Sequence, residues 1–353
     1  MQVDYIVLGQ GISGTFLSYF LMQQGASVLV IDAMKANSAS RVASAVINPV
    51  TGRRVVKTWM IDDILPFAEK VYNEIGEYAG MKDVMQSCPV LDFVPTQQML
   101  DAFTKRVDEN ADYISFSADE NGMREYFNFP LKIGEIRSSY NIALWELLAA
   151  YRQRLQENSM LLEEHFNWDN CILADSKVFY KDIVAKKILC CEGVEGGANP
   201  YFQQLPYAFN KGEALIVSIP GLPQNNIYKM AMTIVPLQQK DLFWVGSNYQ
   251  WTYEDELPSR FFRTNTENYL NHWLKLPFEV KDHIASVRPA NVERRPFAGL
   301  HPVYSSIGIL NGMGSKGCSL APYFAYQLAH HVLYAKEIEL LADVRRFEKV
   351  LSK

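Results

Sequence analysis

The sequence predicts a mixed α/β protein in two parts: a parallel-sheet domain of the Rossmann-like kind and an α+β part with an antiparallel sheet. Three observations carry this. An apolar strand, a glycine loop and a helical pattern open the chain and lead into a second apolar strand. The same order of strand, glycine loop and helix returns near the C-terminus. Between them, short strands separated by turn residues twice replace the α/β pattern.

In chain order, "VDYIVLG" is a Val- and Ile-rich run that reads as a buried parallel strand. Ile12 to Gly25 reads as a helix, because Phe16, Leu17, Phe20 and Leu21 recur at helical spacing and Gly25 can cap the end. "SVLVIDA", 27–33, is a second buried strand. "NSASRVASAVINPVTGRRVVKTW", 37–59, is small, polar and basic, and reads as a long loop of the kind that is often functional. Asp62 to Gly80 is helical through Ile64, Phe67, Val71 and Ile75. From "CPVLDFVP" to "YFNFPLKIGEIR" the pattern is one of short strands, and Asn141 to Glu157 is a helix. "FYKDIVAKKILCCEG", 179–193, holds strand patterns, the second ending in a glycine turn. "GEALIVSI", "YKMAMTIVPL" and "LFWVGSNYQWTY" read as antiparallel strands between Lys211 and Tyr253, and Arg260 to Leu276 as a helix. The expected division gives residues 1–80, 141–210 and 286–353 to the first domain, and 81–140 and 211–285 to the second.

Composition excludes several classes. Hydrophobic residues make up 48% and charged residues 21%, which suits a folded chain with a sizeable core. A formal charge of -5 argues against a general nucleic-acid partner, which demands a broad basic face. Cys88, Cys171, Cys190, Cys191 and Cys318 are odd in number and lack CxxC spacing, against a disulfide framework or structural zinc. His165, His272, His283, His301, His330 and His331 show no metal spacing, so no metal site is expected. The N-terminus has no basic n-region, and no run suits a membrane span. The expected location is the cytoplasm. Oligomeric state is left open.

Gly9, Gly11 and Gly14 fit GxGxxG. The first permits the turn, the second lets the backbone approach a pyrophosphate, and the third allows close helix–strand packing. With Ile12 and Ser13 they open a helix whose free N–H groups favour phosphate. Asp32 lies 18 residues beyond Gly14, where a carboxylate can accept ribose hydroxyls. This stretch alone leaves NAD and FAD both open. The second loop, "LNGMGSKGCSLAP", places Gly312, Gly314, Ser315 and Gly317 before a helix, with Lys316 among them. An NAD dehydrogenase has no need of such a loop. A flavin gains from a helix N-terminus and a cation near its pyrimidine edge, which becomes negative on reduction. FAD is therefore the expected cofactor.

These marks, in order, resemble the D-amino-acid oxidase-like family of FAD enzymes, which includes glycine oxidase and sarcosine oxidase. "YIVLGQGISG" with "VIDA", "SASRVASAVINP", "KILCCEG", "KGEALIV", "LFWVGSNYQ", "SVRPANVERRPFAGLHP" and "NGMGSKGCSLAP" each resemble a family segment. The "GSKG…AP" form is especially similar to the oxidoreductase domain of the bacterial bifunctional enzyme that modifies wobble uridine in tRNA. The resemblance implies an α/β FAD-binding Rossmann-like domain of the glutathione-reductase-like type plus an α+β substrate domain with antiparallel sheet. It implies FAD contacts from Ser40, Arg41, Ala45 and Gly193 besides the two glycine loops. Departures are Ala45-Val46 in place of glycine and the basic Arg294-Arg295. No Cys or His stands where the family links flavin covalently, so noncovalent FAD is expected, with Cys318 the one residue to check.

The chemistry implied is oxidation of the C–N bond of a small amine or amino acid, with hydride passing to flavin N5 and hydrolysis of the imine. Arg288, in the "RP" stretch, is the implied anchor for the substrate carboxylate, since a guanidinium suits a bidentate contact. Tyr249 and Tyr253 are candidates for the substrate side, and Lys316 for charge stabilisation at the flavin. Arg53, Arg54 and Lys57 form a basic cluster that reads either as a polyanion contact or as a solvated face. Two other functions compete: an FAD-dependent tRNA-base modification oxidoreductase and a non-catalytic dinucleotide-binding protein.

Overall fold

The computed structural model describes residues 1–52, 54–109, 112–174 and 176–352. Its first sheet is built on β1 (Gln2–Leu8), whose Tyr5, Ile6, Val7 and Leu8 are all buried. β2 (Val28–Ile31) and then Leu161–Leu162 lie on one side of it. Ile183–Cys190 and then Ile307–Asn311 lie on the other, and these five strands are parallel. Parallel strands buried on both faces need continuous apolar runs, which is what these sequences are. One face is covered by helices α1 (Ile12–Gln23), Ile61–Ala79, Leu144–Glu157 and Gly317–Tyr334, around Phe16, Leu17, Tyr72 and Phe324. The other face is covered by an aromatic cluster of Phe166, Tyr180, Phe202 and Phe297.

The second sheet has eight strands in the order Glu279–Arg288, Asn210–Ser218, Leu242–Gly246, Thr233–Pro236, Ile227–Lys229, Val90–Phe93, Ile133–Ile136 and Ile114–Phe116. All its pairs are antiparallel except Ile227–Lys229 with Val90–Phe93. Helix Arg260–Trp273 packs on one face, against Leu215, Val217, Phe243 and Val245. The other face carries Val90, Ala214, Ile216, Ile227 and Trp244. The expected boundaries at 210/211 and 285/286 fall within strands of this sheet, Asn210–Ser218 and Glu279–Arg288.

The sequence reading differs in four places. Gln97–Asp108 is a helix, not strand, with Thr96 Oγ1 accepting from the Met99 amide at its start. Leu100, Phe103 and Val107 recur at helical spacing, although of the helix's residues only Phe103 is fully buried. "YKMAMTIVPL" is two strands of a hairpin, Ile227–Lys229 and Thr233–Pro236, closed by a Met230-to-Met232 backbone bond. Tyr140–Ile142 is a strand, and the following helix starts only at Leu144. The 37–59 loop holds the short helix Ala39–Val42 and three two-residue strands. Arg53, part of the basic cluster, lies outside the described residues. Among the described residues no helix is long and apolar enough to cross a membrane, and no group of three or more His, Cys, Asp or Glu could hold a metal.

The β1–α1 turn depends on two missing side chains. A Cβ on Gly14 would lie 1.8 Å from the Gly9 carbonyl oxygen, and Gly9 itself has φ +97°. Gly14→Ala should therefore destabilise the fold by about 3 kcal/mol, as overpacking against rigid backbone does. Denaturant unfolding measures this, and an unchanged midpoint would contradict the packing described.

Candidate active site

The carboxyl ends of the parallel strands and the Trp244 face of the second sheet enclose a cavity of about 740 Å³. Gly9, Gly11, Ile12 and Ser13 line it from the start of α1; Gly314, Ser315 and Gly317 line it from the second glycine loop. The two helix starts meet there: a Cβ on Gly317 would come within 3.3 Å of Ile12 Cγ2. Two helix N-termini thus present positive dipole ends and unpaired amides to one cavity. Ser40, Arg41 and Ala45 line it from the 37–59 loop, and Ser40 Oγ accepts from the Ile12 amide at 3.0 Å. Gly193 lines it with φ +59°, a backbone state that favours glycine. Gly14 and Gly312 are not lining residues. They stand behind the surface, where a Cβ would strike Gly9 and Asn291 respectively.

Asp32 lines the cavity at the end of β2, and the protein already engages it. Its carboxylate accepts from the Gln10 amide at 2.8 Å and from Arg152 Nη1 at 2.7 Å, with Arg41 Nη2 at 3.9 Å. Arg152 escaped the sequence reading, because in "LLAAYRQRLQE" it looks like one more residue of a solvated helix face. It is in fact 4% exposed and spans Asp32 and Glu163. Glu192 escaped it too. It follows the strand Ile183–Cys190, lies beside Gly9, and accepts from Asn199 Nδ2 at 2.6 Å and Trp168 Nε1 at 3.3 Å. Burial pushes its carboxyl up to about 7.

Lys316, between the lining residues Ser315 and Gly317, is not itself among them. Burial first, and then nearby Arg295, push its ammonium down to about 8. Arg295 itself stacks on the Trp59 ring at 4.4 Å. Cys318 lines the cavity but is buried, and burial pushes its thiol up to about 12. Lys57 is tied to Asp62 and Asp112 in surface ion pairs, Arg54 is exposed, and neither lines the cavity. Tyr253 does not line it either.

On the facing sheet, Gly212, Ala214, Gly246 and Thr233 form a row of small residues across three neighbouring strands. Arg288 closes one end of the row. Its guanidinium lies on Gly212, where a Cβ would be 2.0 Å from Nη2. Nη1 donates to Asn210 Oδ1 at 2.8 Å, Nη2 to Ser247 Oγ at 2.7 Å, and both to the Asn248 carbonyl. The ring of Tyr249 stacks against the guanidinium at 4.4 Å. Tyr249 is 58% exposed and sits in the loop after strand Leu242–Gly246, not in the strand. Among the described residues, none of Arg288's hydrogen bonds goes to a carboxylate. The loop bearing Ser247 and Tyr249 is pinned by Glu213, a lining residue 1% exposed, which accepts from the Ser259 amide and hydroxyl. Lys211 adds a backbone pair with Gln250 and an ion pair with Asp255 at 3.5 Å. The sequence marked "KGE" only as a crossing segment.

The family model described as FAD dependent oxidoreductase (DAO) matches residues 4–331. The chain belongs to this family of FAD-dependent oxidoreductases. Its fold is similar to that of iminodiacetate oxidase from Chelativorans sp., with TM-score 0.78, 17% identity and 98% of each chain covered. It is also similar to glycine oxidase from Bacillus cereus, with TM-score 0.79, 14% identity and coverage of 96% of this chain and 99% of that one. L-proline dehydrogenase from P. horikoshii gives TM-score 0.77 at 14% identity, over 99% and 98%. The residues present fit FAD: a GxGxxG turn that no Cβ could enter, two converging helix starts, and an acid at the end of β2.

Glu192 gives the cofactor site a pH dependence. Its folded pKa is raised from 4.5 to about 7, so its ionised form is the disfavoured one, and stability falls as pH rises through that window. An ionised Glu192 beside the glycine loop also repels phosphate. FAD affinity should fall several-fold between about pH 6 and pH 8, and Glu192→Gln should abolish that slope. Fluorescence titration of apoprotein with FAD checks it. Equal slopes in both proteins would exclude the role.

Proposed function

We propose that the protein oxidises the C–N bond of a small amine or amino acid that carries a carboxylate, and that it holds FAD noncovalently. One observation carries this reading: Arg288 is a half-buried cation on the cavity wall opposite the glycine cradle, with only neutral partners. Burial pushes its pKa down, the sign of a charge short of compensation. A substrate carboxylate supplies that compensation and can meet the planar fork through two contacts.

The flavin, when bound, supplies the hydride acceptor. The chain's own residues bind and orient. Arg288 fixes the carboxylate, and the Tyr249 ring holds the guanidinium flat. The small row of Gly212, Ala214 and Gly246 leaves the reacting carbon room to lie against the sheet. A side chain on Gly246 would strike Trp244 and Ala214, so the gap is kept by packing. Trp244 Nε1 donates to the Val42 carbonyl at 3.0 Å, tying this wall to the loop that carries Ser40 and Arg41. Iminodiacetate oxidase, glycine oxidase and L-proline dehydrogenase share the fold, and their names indicate amine and amino-acid substrates.

Arg288→Ala should raise KM for a carboxylate-bearing amine about 100-fold, equivalent to about 3 kcal/mol for a lost charge-assisted pair. The flavin spectrum of the variant should match that of the wild type. Steady-state kinetics with a carboxylate-free amine as control read this out. Equal KM values for wild type and variant would refute the anchor assignment.

A further inference from the structure

The row of small residues has a second charged end. Strand Ile227–Lys229 pairs with Thr233–Pro236, and Lys229 stands opposite Thr233. Lys229 lines the cavity, on the same sheet face as Gly212, Gly246 and Arg288. Among the described residues its ammonium donates only to Asp92, at 2.6 Å, which leaves two N–H groups unused. Asp92 is 7% exposed, and its Oδ1 has no donor. The Asp92 charge is therefore answered by Lys229 alone, and the short bond holds the ammonium in place. Asn48 lines the cavity as well. Its Oδ1 accepts from the Val50 amide, and its Nδ2 has no acceptor among the described residues. Val50 belongs to the apolar cluster on this sheet face, with Val90, Ala214, Ile227 and Trp244.

Resting on the reading of Arg288 as carboxylate anchor, we propose that Lys229, positioned by Asp92, forms a second carboxylate subsite, so that the substrate is an amino compound with two carboxylates. The ammonium is then shared between Asp92 and the ligand, and Asn48 Nδ2 supplies a further donor. Arg288 lies over strand Asn210–Ser218, three strands from Lys229. At about 4.8 Å per strand the strands beneath the two cations are roughly 14 Å apart. The two carboxylates must therefore be separated by a chain of several carbons, as in a long aminodicarboxylate or an N-carboxyalkyl amino acid. The pair sits on the cavity wall at the end of the row of small residues.

The test uses the FAD-loaded full chain and two readouts. Adipate and hexanoate, which cannot be oxidised, are titrated against the flavin spectrum. Both enantiomers of 2-aminoadipate and 2-aminohexanoate are compared as substrates by anaerobic bleaching. Adipate should bind at least 10-fold tighter than hexanoate, and 2-aminoadipate should exceed 2-aminohexanoate similarly in kcat/KM. Lys229→Met should bring both ratios to within about 2-fold of one, and Lys229→Arg should restore them in large part. Retention of the flavin spectrum and of melting temperature confirms that each variant is folded. No adipate preference in the wild type, or a preference unmoved in Lys229→Met, overturns the subsite even if amines bleach the flavin. Adipate preference without bleaching by any amine leaves the subsite standing and overturns the oxidation reading instead.

Discussion

The architecture turns on how closely two helix starts approach one sheet edge. Gly9 and Gly14 bring α1 onto β1 at a separation that excludes a single Cβ, and Gly317 brings the later helix within van der Waals contact of Ile12. Both sets of free amides then face one point at the carboxyl ends of the parallel strands. Without that convergence the cavity would be a groove with one weakly positive end. With it, the site suits a dinucleotide whose phosphates meet α1 and whose ring reaches the second loop. The acid Asp32 is held by Gln10, Arg41 and Arg152, so its orientation is fixed before any ligand arrives.

The second sheet complements this site by what it omits as much as by what it carries. Its cavity face has small residues in the middle and cations at the ends, Arg288 at one and Lys229 at the other. Among the described residues Arg288 has no carboxylate partner, which favours an anionic group from outside. Lys229 has one in Asp92 and keeps two N–H groups to offer a ligand. Glu213, which lines the cavity, and Lys211, both buried, hold the Ser247–Ser259 segment against the sheet and so fix where Arg288 and Tyr249 sit.

The cofactor half was legible in the sequence because its chemistry is local. Glycines at set spacing after a strand, and an acid after the next strand, are dictated by backbone clearance and phosphate geometry within one βαβ unit. The substrate half was legible only as strands. Arg288 was found through family resemblance, while Lys229, Asp92 and Glu213 were not found, since their meaning comes from register between strands far apart in the chain. Arg152 and Glu192 were missed for a similar reason: each is a polar residue in an ordinary-looking stretch that the fold buries against the glycine loop. Helix Gln97–Asp108 carried its own signals, the Thr96 N-cap and the spacing of Leu100, Phe103 and Val107, but lies between strands and buries only Phe103 fully.

The measurement that bears most directly on the central claim is the visible spectrum of the purified protein before and after denaturation, with the released chromophore identified by chromatography. Two converging helix starts opposite a sheet whose arginine has only neutral partners among the described residues predict a yellow protein that releases intact FAD. A protein that stays colourless after incubation with FAD, or whose chromophore remains attached to the chain, would contradict the account of the site.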